Sequence, residues 1–148
     1  MMNLEDKKLL VRDLMARIPF GVKVEHMPSG FISKINNIVL YPLYNGNDIK
    51  DYICSIDFFG DGEYFDIDNF RPHLRPLSSM TDSEKEEYYD IVGYISPDDT
   101  ETLPEGEFIY VRYDKFEALI YFYHSHHLDY RGLIEKGLAI YDSVLDNY

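Results

Sequence analysis

Apolar residues recur at helical spacing at both ends of the chain and alternate at strand spacing between them. Leu10, Leu14 and Ile18 lie four apart, with Val11 and Met15 widening the stripe, and predict an N-terminal helix. Asn3 is its expected N-cap. Glu5 and Asp6 fall in the first turn, where the helix dipole favours negative charge, Arg17 lies in the last turn, and Pro19 ends the helix. From residue 20 the period shortens to two. Val22 and Val24 share one face, and Met27-Pro28-Ser29-Gly30 is a turn. Phe31 to Ile35 and Ile38 to Tyr44 read as strands on either side of an Asn36-Asn37 tight turn. Asn45-Gly46-Asn47-Asp48 is the clearest hairpin signal. Tyr52 to Phe58, a Gly60-Asp61-Gly62 turn and Tyr64 to Phe70 complete five short strands, which suggest a small curled antiparallel sheet or barrel-like β region. Pro72 and Pro76 lack backbone donors, so strand pairing is expected to stop at 71–76.

The helical period then returns. Thr81-Asp82-Ser83-Glu84 is a capping box, followed by Tyr88, Ile91, Val92 and Ile95 on a buried face and Glu86, Glu87 and Asp90 on a solvated one. Residues 96–106 form an acidic loop, and Phe108 to Tyr113 alternates as a short strand. Asp114 is expected to cap a helix with Phe116, Leu119, Ile120 and Tyr123 along one face. Ala118, Tyr121 and Phe122 make its other side apolar as well, so the helix is expected to be central or to meet a partner. Asp129 can cap a short helix that Gly137 ends in left-handed geometry. The fold class expected is α+β in a single domain over 1–148. It has a helix over 1–19, a β region over 20–72 and a mainly helical region over 73–148.

Charge narrows the partners. The chain carries a net charge of -13 yet holds 14 Tyr and 9 Phe, so it is a folded acidic domain rather than a disordered acidic tail. Residues 1–50 hold seven basic and five acidic side chains, and residues 51–148 hold seven and 22. Such a surface repels nucleic-acid phosphates and anionic membranes, so neither direct nucleic-acid nor membrane binding is expected. No apolar run approaches a membrane span, no secretory signal is read at the N-terminus, and the lone Cys54 cannot form an internal disulfide. A cytoplasmic location is the expectation.

Two blocks resemble an uncharacterised family of small proteins encoded by phages, prophages and mobile elements of anaerobic gut bacteria. They are Leu74 to Thr81 running into Glu84-Lys85-Glu86-Glu87, and His126 to Ala139. The opening Leu9 to Val24, with Ala16-Arg17-Ile18-Pro19-Phe20-Gly21-Val22-Lys23-Val24, is similar to the start of that family. The resemblance implies an accessory gene of a mobile element acting in a bacterial cytoplasm.

Candidate chemistry is sparse. His124 and His127 lie three apart and share a helix face. With Asp129, and with His73 as a further ligand, they are candidate metal ligands; the other reading is that the imidazoles cap helix carbonyls. Asp57, Asp61, Glu63, Asp66 and Asp68 surround a glycine-containing turn but miss EF-hand spacing, and read as a solvated hairpin. Cys54 has no adjacent His or Lys, and reads as a small hydrophobe in a strand. No catalytic motif is present and no cofactor is expected. Arg131 is expected to pair with Asp129 or with a carboxylate of the 84–90 helix; alternatively Arg75 and Arg131 converge on an anionic ligand. Tyr110, Tyr113, Tyr121, Tyr123 and Tyr130 crowd together, as at an interface or in a core lacking Trp. Thr81, Glu84, Pro76, Gly132 and Gly137 read as structural.

The function expected is non-enzymatic and acts through a protein partner. Its interface centres on residues 116–127 and the Asp129-Tyr130-Arg131 turn, with Tyr121, Tyr123, Tyr130 and Arg131 as contact residues. One alternative is an acidic DNA mimic or anti-defence inhibitor that blocks a host nucleic-acid-binding protein. Another is a metal-dependent enzyme using His124 and His127.

Overall fold

Asn3 Oδ1 accepts the Asp6 N–H at 2.8 Å and opens helix α1, Leu4–Arg17, in a computed structural model that describes residues 2–35, 37–95, 108–110 and 115–147. Leu10, Val11 and Leu14 are buried as the stripe requires, but Met15 is 52% exposed. The reason is angular. The buried face follows Leu10, Asp13, Leu14 and Arg17 at i, i+3, i+4 and i+7, and Met15 points away from it. Arg17 lies in the last turn as expected, and it is fully buried.

Strands β1 (Lys23–His26) and β2 (Phe31–Lys34) form an antiparallel hairpin, while β3 (Ile38–Asn45) and β4 (Asp48–Ile56) form a second one closed at Asn45 and Asp48. Asn36-Asn37 therefore does not join paired strands. β2 pairs with β1 and β3 with β4, and Asn36 itself lies outside the described residues. Strand β5 (Phe65–Asp66) adds to β4. Cys54 sits in β4 opposite Leu40; its side chain lies outside the description.

Strand β6, Phe70–Pro76, runs through the segment expected to end pairing. It pairs antiparallel with β1, and parallel with β9 (Leu128–Asp129) and β10 (Ile140–Tyr141). The prolines are tolerated because they are an even number of residues apart. Both missing donors face one edge of the strand, and the odd-numbered residues keep theirs: Arg75 N–H donates to His127 O at 3.0 Å. The 72/73 boundary between a β and a helical region does not exist, and the C-terminal part contributes strands to the central sheet.

The capping box forms as expected at the start of α2 (Asp82–Ile91), with Thr81 Oγ1 accepting Glu84 N–H and Glu84 accepting Thr81 N–H. Glu86, Glu87 and Asp90 are exposed. Strands β7 (Gly93–Ile95) and β8 (Phe108–Tyr110) pair antiparallel. The acidic loop at 96–106 and Asp114 lie outside the described residues, as do the side chains of Ile95 and Tyr110 and all of Tyr113. Helix α3 spans Phe116–Ser125 with Lys115 at the N-cap position. Residues 132–137 form turns rather than the expected short helix, with Gly132 and Gly137 both in left-handed geometry at φ 73°. Asp129 still caps them, accepting Leu133 and Ile134 N–H at 2.9 Å each.

The fold is α+β with open sheets. Two apolar clusters hold it. One joins α1 to the sheet through Leu10, Leu14, Val24, Phe70, Leu74 and Leu133. The other joins α2, α3 and β9 through Val92, Leu119, Phe122, Tyr123 and Leu128. Among the described residues no helix is long and apolar enough to cross a membrane.

Candidate functional site

Helix α3 buries Leu119, Phe122, Tyr123 and His124 but leaves Phe116 57% and Tyr121 64% exposed, so it is central along one face only. Pro19 turns the chain after α1 and brings Phe20 up beside α3. The Phe20 ring meets Tyr121 edge-on at 5.2 Å and lies 5.6 Å from His124. Between them lies an open groove of about 340 Å³, lined by Phe20, Phe116, Glu117, Ile120, Tyr121 and His124.

A charged chain connects to His124 on the groove wall. Arg17 Nε donates to Asp13 at 2.8 Å and Arg17 Nη2 to Leu128 O at 2.6 Å, all buried. Arg131 lies 3.2 Å from the other Asp13 oxygen and donates to Tyr130 Oη at 2.8 Å. With Arg131 using that oxygen as acceptor, the Tyr130 hydroxyl is free to donate to His124 Nε2, 2.9 Å away; this assignment requires the neutral ring with its proton on Nδ1. Tyr130 stacks on Tyr123 at 4.7 Å, and the Arg131 and Arg17 guanidiniums lie 4.9 and 5.5 Å from its ring centre.

Burial first, and then the two guanidiniums, set the titration of the neighbouring rings. Burial, then Arg17 and Arg131, push His124 down to about 4. Burial, then Arg17, His126, Arg75 and Lys34, do the same to His127. Burial raises the Asp13 pKa against the pull of Arg17 and Arg131.

A second buried arginine lies nearby. Arg75, fully buried on β6, donates to both Glu84 oxygens at 2.7 Å and to Ser79 O and Oγ. Burial opposes ionisation of Glu84, but the Arg75 and Thr81 hydrogen bonds outweigh it and lower the Glu84 pKa. His126 adds contacts to Glu84 at 2.9 Å and Glu87 at 3.3 Å. Arg131 therefore reaches Asp13 on α1, not Asp129 or α2; the arginine that ties the sheet to α2 is Arg75. The two arginines do not converge on a common ligand position, since each has its own carboxylate.

The candidate metal ligands are dispersed. His124 is bonded to Tyr130, His73 bridges Glu25 at 2.9 Å and Asp142 at 3.0 Å, and both oxygens of Asp129 accept backbone N–H groups. Among the described residues no three His, Cys, Asp or Glu side chains are placed to hold a metal ion. In the acidic turn, Asp57, Asp61 and Asp66 accept the N–H groups of Gly60, Glu63 and Asp68. Of the four contact residues read from the sequence, only Tyr121 is on the open surface. Tyr123 is buried, Tyr130 is half-buried in the stack, and Arg131 is held by Asp13. Sequence reasoning missed Asp13 and Phe20. Asp13 was detectable, because it occupies a core position of the α1 stripe four residues before Arg17.

No family model, curated protein or solved structure matches the chain.

Proposed function

We propose that this is a non-enzymatic accessory protein, acting in a bacterial cytoplasm in a phage or mobile-element context, that seats an apolar anchor of a partner protein in the Phe20–Phe116–Tyr121 groove. The carrying observation is the exposure of Phe116 and Tyr121 around an apolar recess, one wall of which, His124, is held by Tyr130. A preformed recess lowers the ordering cost of binding, and aromatic anchors packed in a pocket supply most of the energy at such sites. The chemistry of the partner follows from charge. Glu117 lies at the groove and the chain carries -13, so the anchor is flanked by basic side chains.

The test is capture of partners on the wild type and on a Phe116→Ser/Tyr121→Ser variant, washed at low and high salt. Both positions are exposed, so the variant keeps its melting temperature. The expected result is a partner that survives high salt on the wild type and is lost from the variant. A partner held only at low salt and equally by both proteins overturns the groove reading. It would favour charge mimicry of DNA, with Glu86, Glu87 and Asp90 on the exposed face of α2 as its basis.

A further inference from the structure

A separate recess of about 70 Å³ lies between the β1–β2 hairpin, β6 and the C-terminal turn, lined by Gly21, Lys23, Lys34, His73, His127 and Leu145. A site for one water needs about 10–15 Å³, so the recess takes several oxygen-sized groups at once. Four of its six lining residues are basic types, in a chain of net charge -13.

The strand register sharpens this. Lys23 and Lys34 are direct cross-strand partners, so their side chains leave the same face of the hairpin. Like charges placed directly opposite destabilise a sheet unless something of opposite sign lies between them. Among the described residues neither lysine has a carboxylate within ion-pair distance. Of the nearby acids, Asp142 is close enough for Lys23 to help hold its carboxyl low, though it lies outside ion-pair distance. Glu25 and Asp142 hold the two nitrogens of His73, and Asp142 also accepts the Val144 N–H at 3.1 Å.

Gly21 makes room for the lysine. A Cβ there would stand 3.2 Å from Lys34 Nζ and 3.3 Å from its Cε, at a backbone φ of 71° that also disfavours a side chain. On the other wall His127 holds a left-handed conformation rare for a non-glycine residue, φ 56°. Burial first, and then the positive neighbours Arg17, His126, Arg75 and Lys34, lower the pKa of its ring.

We propose that this recess is an anion site for a small tetrahedral oxyanion, the phosphate group of the free ion or of a small monoester, held between the Lys23 and Lys34 ammoniums. Two ammonium point charges match a phosphate of about -1.5 to -2, and lysine binds phosphate as a point charge where arginine would fork onto a carboxylate.

The test is titration of the full chain with inorganic phosphate and with glycerol 3-phosphate at constant ionic strength. Chloride serves as control, and melting temperature and calorimetry are the readouts. The expected result is a saturable rise in melting temperature with one or both phosphates that chloride does not give. A preference for the ester identifies a phosphorylated metabolite; a preference for inorganic phosphate identifies the free ion. Lys34→Gln is expected to weaken binding at least tenfold, and Lys23→Gln/Lys34→Gln to abolish it while leaving the unliganded protein as stable as the wild type or more so. Phosphate stabilising no more than chloride, or the double variant responding like the wild type, overturns the proposal.

Discussion

Acidification from pH 7 to pH 5 should loosen this protein through two rings, His124 and His127. Both have folded pKa values of about 4 against 6.5 in the unfolded chain. The folded state therefore binds fewer protons than the unfolded state across that window, and stability falls as pH falls. The contribution is complete above 6.5 and lost on the way to 4. One such ring, taken alone, gives about 2 kcal/mol between pH 7 and 5. The two rings share the field of Arg17 and are partly screened by water, so about 2 kcal/mol for the pair is the working magnitude. That is a large part of a typical stability of about 5–15 kcal/mol. Other groups act lower. The depressed carboxyls of Glu84 and Asp142 begin to cost stability only as pH falls below their ordinary 4.5 and 3.8. Asp13, raised above 3.8, offsets part of that loss, because the folded state takes up its proton more readily. The assay is urea unfolding followed by circular dichroism and by the fluorescence of the 14 tyrosines. His127→Asn keeps a residue that tolerates left-handed geometry and should remove about half of the pH response; His124→Gln should remove much of the rest. A stability equal at pH 7 and 5, or a slope unchanged in both variants, refutes the reasoning.

Two further outcomes follow from the buried arginines. Arg75→Ala strands Glu84, already committed to the α2 capping box, and should cost about 3–5 kcal/mol in urea unfolding; Arg75→Met with Glu84→Gln should recover part of that, since it leaves no unpaired charge. Arg131→Ala removes the second partner of Asp13 and the donor to Tyr130, and should lower the melting temperature measurably, about 1–2 kcal/mol in ΔG; an unchanged melting temperature would deny Arg131 a structural role.

What could be read from the sequence was local. Asn3, the Thr81–Glu84 box and the Asn45–Asp48 turn each act within four residues, and each formed as read. What failed depended on distance along the chain. The register of β6 is set by β1, whose paired residues lie 44 to 48 positions before it, and by strands more than 50 positions after it, and nothing in Arg71-Pro72-His73 announces them. Asn36-Asn37 reads as a tight turn between two strands, but turn chemistry does not say which strands will pair. The 132–137 segment looked helical because Asp129 and Gly137 have cap identities, but six residues are too few for a helix to hold without them packing as turns. The groove was half legible: the aromatic density of α3 was visible, but which rings face outward depends on α2 and β9, which cover its other side.

The position of β6 has a consequence for synthesis. As the chain leaves the ribosome, β6 emerges with β1 already available, but its parallel partners β9 and β10 follow only after residue 127. Those pairings close loops of more than 50 residues, the kind of contact that slows folding. Until then the central strand presents unpaired backbone groups to solvent, and those groups are open to any strand that arrives first. The nascent chain is thus most exposed to misassembly between the emergence of β6 and that of β9 and β10, and an assisting chaperone would act in that interval.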